Sequence, residues 1–126
     1  MAPVKPILFA GLCFISEAFA VRLLATHFSG QVYTLNLALT SPTSGSLTVQ
    51  QKTGGCGVTP TWLYLDDSTK TVYCFDESWA GSGVITQYSL GANGLTQTGS
   101  AKTPGNSVHG QPYGGKDGKT FVATAE

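Results

Sequence analysis

The 126-residue sequence carries seven Lys or Arg against seven Asp or Glu, a formal net charge of zero, and 41% hydrophobic residues. Such a chain is long enough for one small folded domain, and its sparse, balanced charge excludes a basic nucleic-acid footprint or an acidic tail. It holds neither a zinc-type Cys/His cluster nor a phosphate-cradling glycine motif, so no metal and no cofactor is expected, and its sixteen Gly describe a chain that turns often.

Residues 1–20 read as a signal peptide. Lys5 supplies the positive n-region, residues 7–15 the apolar h-region, and Ala18-Phe19-Ala20 the small-x-small cleavage pattern, so the mature chain starts near Val21. A buried strand or an ordinary helix is the competing reading; the run is short for a membrane span, and none is expected after processing. Secretion, or display at the cell surface, removes Cys13 and leaves Cys56 and Cys74 as an even pair in an oxidising compartment. A bridge between them is favoured, stapling the loop before residue 62 onto the sheet. Two small buried hydrophobes are the alternative.

Strands are predicted at 21–26, 31–39 and 46–50, with turn signals at 27–30 and at Thr40-Ser41-Pro42-Thr43-Ser44-Gly45. A Gly-rich loop at 53–60 leads to the run from Thr59 to Glu77, where Trp62-Leu63-Tyr64-Leu65 and Val72-Tyr73-Cys74-Phe75 flank the polar Asp66-Asp67-Ser68-Thr69-Lys70. Aromatic and β-branched runs either side of an Asp/Ser/Thr turn specify a hairpin. Further strands follow at 84–90, 95–100, 109–113 and 120–125.

The grammar repeats. Residues 119–126, KTFVATAE, resemble residues 70–77, KTVYCFDE; 30–35 foreshadow 83–88, and 45–49 foreshadow 94–97. An offset of about 50 residues is the spacing of propeller blades, not of helical repeats. The fold class is therefore all-β, a partial β-propeller of about two blades of antiparallel four-stranded sheet. Residues 21–53 form a partial blade lacking its innermost strand, 62–100 a complete blade and 109–126 a second partial blade. Trp62, Leu65, Tyr73 and Phe75 are expected to make a local core, and the open sheet edges favour self-association.

The residues that carry the repeat also carry a resemblance. The pattern Gly55-Cys56-x-x-x-Pro60-x-Trp62-Leu63-x-Leu65-Asp66, then Val72-Tyr73-Cys74-Phe75-Asp76-Glu77, then Gly81-x-Gly83-x-Ile85-x-x-Tyr88-Ser89-Leu90, resembles the fungal lactonase or carboxymuconate-cyclase-like family of seven-bladed β-propellers. That family is similar to the propeller type of 6-phosphogluconolactonase. The resemblance implies a cofactor-free lactone hydrolase or cycloisomerase whose substrate is a sugar lactone or carboxymuconate, and a chain that covers only the N-terminal part of the ring. As such a fragment it is expected to be inactive on its own. The alternative is a secreted carbohydrate- or protein-binding, antigenic propeller fragment without catalysis.

In up-and-down blades the connection into an inner strand and the loop between second and third strands share one rim. Thr59, Asp76, Glu77, Trp79, His109 and Glu126 fall there. His109 is the candidate general acid/base because imidazole titrates near neutrality, with Glu77 and Glu126 as equivalent carboxylates facing a channel. The bland alternative for His109 is a polar surface residue. Trp79 is a candidate ligand-stacking residue or a cap on the space between blades, and His27 a second ligand-binding candidate or a solvated strand end. Arg22, the single arginine, starts a strand and is expected to face solvent. No hydrolase nucleophile elbow or triad is present.

Overall fold

The computed structural model describes residues 19–114, 117 and 119–125. Most of the signal segment, Cys13 and Glu126 lie outside the described residues; Phe19 and Ala20 are the first two residues of a strand. Nine strands follow in chain order: β1 (Phe19–His27), β2 (Gln31–Ser41), β3 (Ser44–Thr53), β4 (Pro60–Asp66), β5 (Thr71–Asp76), β6 (Gly83–Gly91), β7 (Gly94–Thr103), β8 (His109–Gly114) and β9 (Thr120–Ala125). They pair antiparallel, each with its sequence neighbour, into sheets ordered β1-β2-β3, β4-β5-β6-β7 and β8-β9. The fold is all-β and matches part of a propeller.

Local chemistry sets the hairpins. At the β4–β5 turn the Asp66 carboxylate accepts bonds from the Ser68 amide at 3.0 Å and the Ser68 hydroxyl at 2.7 Å, and Lys70 closes the turn in the left-handed region. The side chains of Ser68 and Thr69 hold the Asp66 carboxyl below its usual range. The β5–β6 connection, residues 77–82, is longer than the β4–β5 turn.

The second sheet packs its core on one face. Val72 and Cys74 on β5, Tyr88 on β6 and Leu95 on β7 pack with Val32 of β2 and with Cys56, and Leu24, Leu63 and Leu90 close around them. Strand alternation sends Phe75 to the other side, where it is fully buried beneath β8. A side chain at Gly110 would run into the Phe75 ring, so β8 sits on this aromatic only because that position has no Cβ. Two members of the expected local core are different: Trp62 is 38% and Leu65 44% exposed. Both lie on β4 but on opposite faces, Trp62 across from Phe75 on the side of the third sheet and Leu65 across from Val72 on the side of the first.

Polar groups lock the first sheet to the second. The Gln51 amide brackets Leu95, its nitrogen donating to the Leu95 carbonyl at 3.1 Å and its oxygen accepting from the Leu95 amide at 2.6 Å. Arg22 is exposed, as expected, yet engaged: its guanidinium donates to the carbonyls of Gly91 at 2.7 Å and Ala92 at 2.8 Å, capping the β6–β7 turn. The Tyr88 and Thr86 hydroxyls donate to the carbonyls of Gly54 and Gly55, at 2.9 and 2.6 Å.

Cys56 and Cys74 are joined by a disulfide, both residues fully buried and their Cα atoms 5.8 Å apart. It ties the loop after β3 to the strand β5, across 18 residues of sequence, so its loss releases a loop whose closure is worth about 3 kcal/mol. Urea unfolding of the Cys56→Ala/Cys74→Ala chain should show a correspondingly lower midpoint; an unchanged midpoint would mean that the bridge constrains nothing.

Burial also pushes the Tyr88 phenol up to about 12. The neutral phenol is therefore favoured in the folded chain: its stabilisation is present below the ordinary value of 10.0 and is lost as pH climbs towards about 12. Denaturation midpoints followed across that window should fall more steeply for the native chain than for Tyr88→Phe, which has no proton to release there. Parallel pH profiles would contradict this.

Candidate functional site

The site is built at the end where β1 runs into β2 and where β3, β5 and β7 run into the next strand. Its foundation is Asp76. This carboxylate is only 3% exposed and has no basic partner among the described residues; instead its Oδ1 accepts from the amides of Val58 at 3.2 Å and Thr59 at 2.8 Å and from the Thr59 hydroxyl at 3.1 Å. A buried carboxylate is tolerable when donors converge on it. Gly57 precedes them in the left-handed region, and a side chain there would collide with the same carboxylate.

From Thr59 the bracing continues outward. The Ser78 amide donates to the Thr59 hydroxyl at 2.7 Å and the Glu77 amide to the Thr59 carbonyl at 3.0 Å. Gly81 donates to the Ser78 carbonyl at 3.3 Å, and the Asn106 amide bonds the Glu77 carbonyl, bringing the β7–β8 connection alongside. Ser78 itself is buried with φ of 38°, left-handed for a residue that has a Cβ. The loop carrying Glu77 and Trp79 is thus held in one shape.

Glu77 follows β5 directly and is half-buried. His109 opens β8 and is exposed, its ring centroid 4.4 Å from that of Trp62 and tilted by 44°, while the Trp62 indole N–H donates to the Gly110 carbonyl at 3.1 Å. Trp62 therefore seats the histidine and joins two inner strands, a role its apolar neighbourhood in sequence does not announce. Trp79 is 68% exposed and meets Phe28, from the β1–β2 turn, edge to face at 6.2 Å. A notch of about 200 Å³ lies between Trp79, Ala80, Val58, Thr59 and Ser78. His27 instead turns to its own hairpin: its Nδ1 accepts from the Ser29 amide at 3.2 Å, and the ring stands edge-on to Tyr33.

Thus Glu77, Trp79 and His109 share one end, and His27 ends β1 there too, but no hydrogen bond or ion pair links Glu77, His109 and His27 among the described residues. Glu126 lies outside them. No group of three His, Cys, Asp or Glu able to hold a metal occurs among the described residues. Two contributors escaped the sequence reading: Phe28, which has no motif around it, and Asp76 in its buried role, for which its place directly before Glu77 at a strand end was the available signal.

Replacing Asp76 by Ala leaves the amides of Val58 and Thr59 without an acceptor, a loss of about 2–3 kcal/mol. Asp76→Asn keeps one acceptor oxygen and should fall in between. Urea midpoints of the three chains check the order; equal midpoints would contradict the role given to this carboxylate.

The family described as Lactonase, 7-bladed beta-propeller, matches residues 22–126, from the first strand onward. No curated protein and no solved structure matches the chain.

Proposed function

Because the chain belongs to the lactonase family of seven-bladed β-propellers, we propose that its loop end is one sector of a site that opens or closes a lactone ring. Support comes from one geometric observation: Glu77 and His109 both flank the start of β4, Glu77 next to the Pro60–Asp76 pair and His109 through its contact with Trp62. In ring opening, water adds to the lactone carbonyl carbon and the ring C–O bond breaks. Glu77 takes the proton of the attacking water, and His109 delivers one to the departing ring oxygen. In the carboxymuconate-type reaction the substrate's own carboxylate adds to a double bond and the same groups move the proton.

The developing oxyanion, and any carboxylate on the substrate, call for cations, and residues 28–30, 54–59, 77–82 and 104–108 contain no Lys or Arg. Further blades of the ring supply them, so these 126 residues do not turn over a lactone by themselves. The same reading makes the chain a secreted or surface protein, a setting with which the Cys56–Cys74 bridge agrees. Self-association through the open sheet edges belongs to it as well. Exposure of Trp79 favours a second reading, a carbohydrate- or protein-binding propeller without catalysis.

The test is a chimaera in which this chain replaces the matching N-terminal part of a complete seven-bladed lactonase. Opening of glucono-1,5-lactone is followed against the spontaneous rate. The isolated chain should match buffer, the chimaera should be active, and Glu77→Gln or His109→Ala in the chimaera should lower the rate about a hundredfold. Turnover by the isolated chain, or full activity of both variants, would overturn the assignment.

A further inference from the structure

The first sheet turns its more apolar face outward. Leu24 and Val32 point to the second sheet, so strand alternation sends their odd-numbered neighbours on β1 and β2 the other way. There the pairing register lines up two aliphatic rows across all three strands: Val21, Leu37 and Leu47, then Leu23, Leu35 and Val49. Leu35 and Leu37, on the central strand, are half-buried, and the other four are exposed. Between these rows the inward face carries Arg22, Asn36 and Thr48, which border a hollow of about 370 Å³. A sheet whose outer face is more apolar than its inner one calls for a cover.

Shape and charge select a second copy of this chain as that cover. The aliphatic rows and the rows flanking them contain no Asp or Glu, and their one charge is Lys52, whose ammonium lies over the Tyr33 ring at the loop end, 5.5 Å from the centroid. Such a face can meet itself without like charges opposing each other at its centre. Two sheets pack about 10 Å apart with their strands nearly aligned. When β2 of one copy runs antiparallel to β2 of the other, the aliphatic rows superpose. Lys52 of each then falls near Gly45 of its partner, a position in register with Leu39 that has no side chain to displace.

The outward face of the third sheet is the competing partner. It presents the stacked pair Tyr113 and Phe121, both exposed, but offers two strands against three and leaves part of the aliphatic face uncovered. Three strands about 4.8 Å apart and about six residues long give a footprint of roughly 300 Å². Even as accessible surface summed over two copies, this stays below the roughly 1,200–2,000 Å² of stable complexes, so the contact belongs to the transient class.

We propose that the outward face of the first sheet is a homodimer contact, the aliphatic rows of one copy packed on those of a second in a two-fold, face-to-face sandwich. It adds an apolar contact to the association through strand edges, and it does not rest on the catalytic reading.

Sedimentation equilibrium of the purified, oxidised chain should show monomer and dimer with a Kd of roughly 10–100 µM. Leu47→Lys and Val49→Lys should each weaken the dimer about a hundredfold, because every contact then buries two unpaired ammonium groups. Both side chains are exposed in the single copy, so neither variant threatens the fold, and urea midpoints in dilute solution should match the native one. Thr48→Lys sets the same charge on the same edge strand but on the opposite face, and should leave the Kd unchanged. Tyr113→Ser, on the third sheet, should do likewise. A chain that stays monomeric, whether its face is bare or taken by another part of the chain, would overturn the proposal. Dimers of native strength in Leu47→Lys and Val49→Lys would do the same, placing the contact at strand edges. So would an equal loss in Thr48→Lys or in Tyr113→Ser. No lactone enters the measurement, so either result leaves the catalytic assignment to its own test.

Discussion

The attachment of residues 54–59 to β5 is the constraint from which the remaining structure follows. One covalent bond, Cys56 to Cys74, and one buried carboxylate, Asp76, hold this segment against alternate inward positions of a single strand. Without regular secondary structure of its own, the segment has carbonyls and amides that must find partners. Tyr88, Thr86 and Asp76 provide them. The first sheet then closes on it, with Gly30 so near the Gly57 carbonyl that no side chain fits. Core and loop end are thus set by the same few residues.

That arrangement gives the second sheet two unlike faces. One is finished, a packed layer shared with the first sheet around Val32, Tyr88 and Leu95. The other is covered only where β8 and β9 reach, which leaves a groove of about 470 Å³ along Tyr73, Ile85, Gly99 and Val122. The far face of the first sheet is open too: Val21 and Leu23 of β1 align through Leu37 and Leu35 with Leu47 and Val49 of β3, and the four on β1 and β3 are exposed. Two sheet faces shaped for neighbours are what a sector of a ring presents, since each blade buries its surface only against the next.

Much of this was legible in the sequence because strand chemistry is local. Alternating β-branched and aromatic runs, Pro/Gly turns and the repeat of KTVYCFDE at KTFVATAE located the strands of all three sheets, and the paired cysteines are bridged. Trp62 and Leu65 departed from expectation because burial on an inner strand depends on neighbouring sheets, which hydropathy within one strand does not encode. The clamps made by Gln51 and Arg22 span 44 and 69 residues, and no spacing rule predicts such contacts. At the site end, the shared rim of Glu77, Trp79 and His109 followed from topology. The support of Trp79 by Phe28 and of His109 by Trp62 required coordinates.

The account therefore gives a short irregular segment control over both stability and the presentation of the site. Amide hydrogen exchange on the oxidised chain measures this directly. The amides of Val58, Thr59, Glu77 and Ser78 should exchange as slowly as the central amides of β5 and β6, opening with them in one cooperative unit. Rapid exchange at these four positions while β5 and β6 stay protected would show that the segment rides on the sheet without organising it, and would contradict the account.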